Sequence, residues 1–360
     1  MRVCVTGASG HIGTNIVHEL VARGHDVSVS ARSLDRLKGI KSLDVEKHVG
    51  DVLDEKSLRP AMEGADVLIH AAAVYKNWTK DPEEMPRTAL EGTKNALRAA
   101  KDAGVKRVVY TSSCNAVGFS KDGKPLDEKS WNDSFHLPYV RAKVESEKLA
   151  HEMAKELGLE LVAVLPTGVV GRFDYAITPS TKNFVEIVQR KAPLGFPVNL
   201  VDVRDVALGH VLAMDKGKCG ERYLLGSENC EPNDLAKIVE EETGVTPKLG
   251  MPPTWLLGTI AAISEGISSV TGKEPMITRA LVKELAASKG LPLRLLEGEE
   301  GARARATRPA RDRPRDCTMV RVRRSGRRSH QAEAAAGSFL ELSSISVISA
   351  VVPTRIGGPQ

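Results

Sequence analysis

Val3-Cys4-Val5-Thr6-Gly7-Ala8-Ser9-Gly10-His11-Ile12-Gly13 decides the fold. Residues 3–6 form a short apolar run, and the glycine-rich residues after them lead into Ile12, Ile16, Val17, Leu20 and Val21, which recur at helical spacing and stop at Gly24. A strand, a glycine turn and a helix in that order open a βαβ unit. Gly7 permits the tight turn, Gly10 lets the backbone approach a pyrophosphate, and Gly13 allows close packing of the helix, whose positive end favours phosphate. Thr6, Gly7, Ser9, Gly10, His11, Ile12 and Gly13 are therefore candidate dinucleotide-binding residues.

Working outward, strands are expected at residues 27–30, 45–49, 66–70, 107–112 and 160–165, with helices at 54–62, 83–103 and 139–157. This alternation gives an α/β fold with a doubly wound parallel sheet. After residue 166 it weakens. Helices at 183–190, 204–215, 231–243 and 252–270, with short strands near 198–201 and 222–225, suggest a smaller α/β lobe over the strand ends. The expected division is a dinucleotide-binding domain over 1–170, a substrate lobe over 171–289 and a tail over 290–360.

The 360 residues include 41% hydrophobic and 27% charged residues, which excludes a wholly disordered or collagen-like chain. The net charge of +5 is unevenly placed. Residues 301–330 hold eleven arginines against two aspartates, so residues 291–360 carry +6 and residues 1–290 carry −1. No lysine follows Lys289. The Arg-rich, then Ser/Val/Ile-rich tail reads as disordered or as an out-of-frame product, rather than as a nucleic-acid or lipid arm. No nucleic-acid or membrane partner is expected, and with no signal-peptide pattern the reading is cytoplasmic. Cys4, Cys114, Cys219, Cys230 and Cys317 are widely spaced and contain no Cys-x-x-Cys pair, so neither a disulfide framework nor a metal site is expected.

The second strand ends Ser30-Ala31-Arg32-Ser33, without the carboxylate that would accept both ribose hydroxyls of NAD(H). Arg32 instead offers a guanidinium for a 2′-phosphate, so NADP(H) is expected, with NAD(H) the alternative. Asp51 and Val52, after the third strand, can meet adenine, while Ala71 and Ala72, after His70, allow close approach to the cofactor's middle. His70 itself reads as structural.

Tyr139 and Lys143 sit four residues apart on a helix and share a face, so the ammonium can stabilise the phenolate and bring its pKa of ~10 toward neutrality. Ser113, 26 residues upstream at a strand end, can hold the same carbonyl oxygen. The tuned phenol can give that oxygen a proton.

Together, Thr6–Gly13, Asp51-Val52, His70–Ala72, Thr111–Ser113 and Tyr139–Lys143 resemble the extended short-chain dehydrogenase/reductase family over residues 1–285. Arg32, Tyr110–Ser113 and Leu165–Gly171 look most like its dihydroflavonol 4-reductase-like branch, within the epimerase/dehydratase group. The resemblance implies Ser113, Tyr139 and Lys143 as a catalytic triad, with Lys143 also holding the nicotinamide ribose. It places Pro166 and Thr167 against the nicotinamide end.

Three departures stand out. The Asn that often precedes Gly-Thr in the long helix is replaced in Thr88-Ala89-Leu90-Glu91-Gly92-Thr93. The Asp-Glu pair of dehydratases is replaced by Cys114-Asn115, which argues against sugar 4,6-dehydration. The usual closing segment of the lobe gives way to the tail after Ser288.

The expected activity is NADP(H)-dependent reduction of a small-molecule carbonyl or oxidation of an alcohol. The alternatives are an NAD-dependent nucleotide-sugar epimerase and a non-catalytic NADP(H)-binding regulator. Segments 74–86, 119–136 and 172–179 are expected to border the substrate, and their Trp78, Trp131, Phe135 and Phe173 suggest that it is partly apolar. The family also implies a homodimer through the helices at 83–103 and 139–157; the apolar Ala96, Leu97 and Ala100 fit such a face and fit a buried one equally.

Overall fold

The computed structural model describes residues 1–73, 81–120, 124, 126–195, 197–227, 229–250, 252–272, 275 and 277–287. The tail, Trp78 and the rest of residues 74–80 lie outside them. Seven strands form the main sheet: β1 (Arg2–Thr6), β2 (Asp26–Ala31), β3 (Glu46–Val49), β4 (Val67–His70), β5 (Arg107–Thr111), β6 (Glu160–Pro166) and, after two strands of a second sheet, β9 (Arg222–Leu225). Their order is β3-β2-β1-β4-β5-β6-β9, and every neighbouring pair is parallel.

Parallel strands covered on both faces need apolar residues at successive positions, which is how β1, β4, β5 and β6 read. Val3, Val5, Ile69, Val109, Val162 and Val164 face α1 (His11–Ala22) and α6 (Val203–Lys216), packing with Ile16, Val17, Leu20, Ala207 and Val211. Cys4, Leu68, Val108, Tyr110 and Leu161 point to the opposite face. There they meet Leu58 and Met62 of α2 (Glu55–Met62), Ala96, Leu97 and Ala100 of α3 (Glu84–Asp102), and Ala150 and Ala154 of α4 (Pro138–Leu157). Ala96, Leu97 and Ala100 are thus spent on the chain's own core, the buried one of the two helix faces that their apolar character allowed.

A second sheet, in the order β10-β8-β7, joins β7 (Gly168–Val170) in parallel to β8 (Val198–Asp202), which pairs antiparallel with β10 (Asn229–Cys230). With α5 (Pro179–Val188), α7 (Pro232–Thr243), α8 (Thr254–Thr271) and α9 (Arg279–Ala287) it builds the smaller lobe. Two elements beyond residue 170, α6 and β9, return to the main sheet.

Candidate functional site

The chain reverses its winding between β1 and β4, and ligands of open α/β sheets bind at such a switch, outside the carboxyl ends of the strands. The glycine turn stands there. Gly7 has φ +74°, and a Cβ on it would lie 2.6 Å from the Ala71 carbonyl carbon and the Ala72 nitrogen. A Cβ on Gly13 would lie 2.2 Å from the Gly7 oxygen. The missing side chains therefore let the turn, α1 and the end of β4 meet backbone to backbone.

Gly10 is exposed and occupies the N-cap of α1 with no side-chain cap. Its nitrogen donates to the Gly7 oxygen at 2.9 Å, which closes the turn, while the first amides of α1 present the helix's positive end. The buried Thr167 hydroxyl, after β6, has no hydrogen-bond partner among the described residues. A bare helix end for phosphate, glycines without side chains and an unpaired polar atom beyond β6 fit a dinucleotide. Ser9 lies in the turn and Ile12 in the first turn of α1, Pro166 ends β6, and Ala71 and Ala72 follow β4.

His11 is buried, with Nδ1 3.8 Å from Asp174 Oδ2. Burial lowers its pKa, and Asp174 opposes that shift. The same Asp174 oxygen accepts from the Thr178 amide at 2.9 Å and from the hydroxyls of Thr178 and Thr181 at 2.7 and 2.6 Å. Asn15 and Arg172 add a second link, Arg172 Nε donating to Asn15 Oδ1 at 3.0 Å. Sequence reading missed Asp174, because His11, the turn residue it meets, lies far from it in the chain.

Arg32 follows β2 and is exposed, with no acidic residue in the last five positions of that strand. Asp51 accepts from the Leu53 amide at 3.0 Å. Asn95 of α3 donates to the Val52 oxygen at 2.9 Å, and Gly92 leaves room for the Val52 side chain, so α3 fixes this turn. The Thr93 hydroxyl lies 3.1 Å from the Tyr110 hydroxyl.

Tyr139 and Lys143 lie on the first two turns of α4, which starts at Pro138, a residue suited to a first helical position. Lys143 is only 7% exposed, and its Nζ donates to the Thr111 oxygen at 3.1 Å. Burial lowers its pKa to about 8, with Glu147 pulling the other way. Ser113 caps the short turn that follows β5, accepting from the Asn115 amide at 3.2 Å. Cys114, Ala116 and Val117 of that turn pack on Val140 and Val144 of α4. The structure thus brings the Ser113 turn and the Tyr139–Lys143 turns together at the carboxyl end of β5. His70 lies behind them, its Nδ1 2.9 Å from the Thr6 hydroxyl and its ring stacked on Tyr110. Burial, aided by Lys143, brings its pKa down to about 4, which suits the structural role expected for it.

Of the aromatic residues expected near substrate, two are used in packing. Trp131 lies under the Arg222 guanidinium, and Phe173 stacks on His18 of α1. Phe135 remains exposed.

The model of the NAD dependent epimerase/dehydratase family matches residues 3–226. A Synechocystis protein named "Putative dihydroflavonol 4-reductase" is 34% identical over 287 residues, covering 78% of this chain and 83% of that one. Sterol demethylase protein B of Methylococcus capsulatus is 35% identical over 266 residues, covering 72% and 80%. The crystal structure of gox2253 superposes with a TM-score of 0.71 at 34% identity, covering 86% of this chain and 94% of that one. Among the described residues no helix is long and apolar enough to cross a membrane. The chain belongs to the NAD dependent epimerase/dehydratase family, in the extended short-chain dehydrogenase/reductase branch, and is an NAD(P)(H)-dependent enzyme.

Proposed function

We propose that the protein is an NADP(H)-dependent carbonyl reductase or alcohol dehydrogenase acting on a small, partly apolar carbonyl or alcohol. The observation that carries this reading is the buried Lys143, anchored to the Thr111 oxygen on the Tyr139 face of α4, with the Ser113 turn packed on the same helix. The reductase name of the Synechocystis relative supports it.

When bound, the nicotinamide supplies or accepts the hydride. The Tyr139 hydroxyl gives the substrate oxygen its proton in reduction and takes it back in oxidation. Lys143, largely charged at pH 7 with a pKa of about 8, lowers the phenol's hold on that proton. Ser113 Oγ donates to the carbonyl oxygen and stabilises the charge that develops there. Lys143 also binds the nicotinamide ribose, and Pro166 and Thr167 line the nicotinamide end. The α1 amides at His11 and Ile12, with Thr6 through Gly13, receive the pyrophosphate; Asp51 and Val52 flank adenine; Arg32 binds the 2′-phosphate.

A nucleotide-sugar epimerase holding NAD would use the same triad, but the end of β2 lacks the acid that such a site needs. A non-catalytic regulator would have no use for Ser113, Tyr139 and Lys143 together. Acid release of any nucleotide that copurifies, followed by titration of the stripped protein with NADPH and NADH, separates the three. Exchangeable binding favouring NADPH, with turnover in an aldehyde and ketone screen, is expected. Tightly retained NAD⁺ would move the assignment to epimerisation, and binding without turnover would favour the regulator. Tyr139→Phe should cut turnover by about 10²- to 10⁴-fold and keep NADPH binding.

A further inference from the structure

Tyr139, Lys143, Glu147 and His151 follow one another at four-residue spacing on α4 and so share a face of the helix. Glu147 is 0% exposed, and a carboxylate at that depth requires opposite charge and hydrogen bonds. It receives both from other elements. Arg222 of β9 donates from Nε to Glu147 Oε1 at 2.6 Å and from Nη2 to Oε2 at 3.4 Å. The Ser112 hydroxyl, next to Ser113, donates to the same Oε2.

The other end of Arg222 reaches a further segment. Its Nη1 donates to the main-chain oxygens of Glu128 and Ser130 at 2.7 and 2.6 Å, and the guanidinium lies 3.7 Å from the centre of the Trp131 ring. Glu128 returns the link by accepting from the Leu224 amide of β9 at 3.3 Å. One buried ion pair therefore joins four pieces of chain: α4, the end of β5, the edge strand β9 and residues 128–131, which lead toward Tyr139.

We propose that Glu147 and Arg222 form a buried positioning pair for the reaction centre, Glu147 holding the Ser112–Ser113 strand end against the Lys143 face of α4 and Arg222 clamping residues 128–131. The proposal rests on the reading of Ser113, Tyr139 and Lys143 as the reacting set. Stability alone accounts poorly for such a pair, since well-packed apolar replacements of a buried ion pair are often neutral or stabilising.

The charge of Glu147 also bears on the centre. The groups facing it are Lys143 and His151 on α4 and Arg222 on β9; Lys148 Nζ lies 5.1 Å from the centre of the Trp131 ring, and His70 of β4 faces Lys143 in turn. Glu147 raises the Lys143 pKa against the larger effect of burial. Removing that carboxylate lets Lys143 lose its proton at lower pH, which draws the alkaline limit of activity down.

The test compares Glu147→Gln with the double variant Glu147→Gln/Arg222→Met, which returns the buried cluster to its wild-type net charge. Glu147→Gln should keep NADPH binding at pH 7 within about threefold, lower kcat by about 10- to 100-fold and move the alkaline limb of the kcat profile to lower pH. The double variant should regain thermal stability yet keep the reduced kcat and the displaced limb. A double variant that regains stability, wild-type kcat and the wild-type limb would overturn the proposal, because the pair would then be scaffolding alone. The NADPH dissociation constant, measured from pH 6 to 10 in the same proteins, follows Lys143 without turnover. A wild type that titrates near pH 8 but reduces no carbonyl would defeat the reductase reading and leave the displacement measurable. No displacement of that titration in either variant would overturn the positioning pair.

Discussion

Thr111 is bonded from two sides: its main-chain oxygen accepts from Lys143 Nζ at 3.1 Å, and its hydroxyl lies 2.9 Å from His210 Nε2. The last residue of β5 thereby fastens α4 on one face of the sheet and α6 on the other, two positions before Ser113. Both partners are buried, so both carry a cost that depends on pH.

For Lys143 the sign follows from a folded pKa of about 8 against an ordinary value of 10.5. Below pH 8 the folded chain bears a buried ammonium; between 8 and 10.5 the folded state sheds its proton while the unfolded chain keeps it, so wild-type stability rises with pH. Lys143→Met should therefore be more stable than wild type at pH 7 by up to about 2 kcal/mol, allowing for the lost hydrogen bond, and should lose that advantage by pH 10.5. Urea unfolding at the two pH values measures it. A variant less stable than wild type at pH 7 would mean that the amine's partners outweigh its burial.

His210 behaves with the same sign in a lower window. Nδ1 donates to the Val206 oxygen at 2.7 Å, so in the neutral ring Nε2 accepts from the Thr111 hydroxyl. Burial brings its pKa down to about 4 from 6.5. As pH falls from 6.5 toward 4 the unfolded chain takes up a proton that the folded chain refuses, and stability is lost at up to about 1.4 kcal/mol per pH unit. His210→Gln should flatten the stability profile in that window by nearly one proton. An unchanged slope would place the acid sensitivity elsewhere, with His70 the next candidate.

The parts legible in the sequence are those whose residues are neighbours in the chain. Val3–Gly13 announces strand, turn and helix within eleven residues, and Tyr139 and Lys143 share a helical face by spacing alone. Arg222 is different. Its four-residue strand follows a weakly periodic stretch, and only the sheet order shows it beside β6, where its guanidinium meets Glu147 from 75 positions away. Glu147 itself was within reach, since it stands one turn beyond Lys143. The strands β7 and β10 are too short for periodicity to register, and α9 makes only about two turns. His11 was legible as a member of the glycine turn, but not as the partner of Asp174, which arrives from beyond β7.

Gly7→Ala tests the close approach on which the cofactor site depends. The substitution would hold a side chain at φ +74° and drive its Cβ within 2.6 Å of the Ala71–Ala72 backbone, so the β1 turn and the end of β4 must separate. A loss of at least about 2 kcal/mol in unfolding free energy is expected, with NADPH binding weakened more than stability alone explains. Gly24, whose φ is +76° but which has open space around it, is the control: Gly24→Ala carries the backbone cost without the clash and should leave NADPH binding unchanged.

Arg32→Asp tests cofactor choice at the end of β2. A guanidinium can bond the 2′-phosphate of NADPH, whereas a carboxylate repels it and accepts the two ribose hydroxyls of NADH. The ratio of NADH to NADPH dissociation constants should fall by at least about tenfold, with most of the change in NADPH. Because Arg32 is exposed, its contribution should also be screened: in the wild type, added salt should weaken NADPH more than NADH, and in Arg32→Asp that difference should shrink. A ratio that stays put at low salt would make Arg32 a solvated loop charge and leave the phosphate to another group.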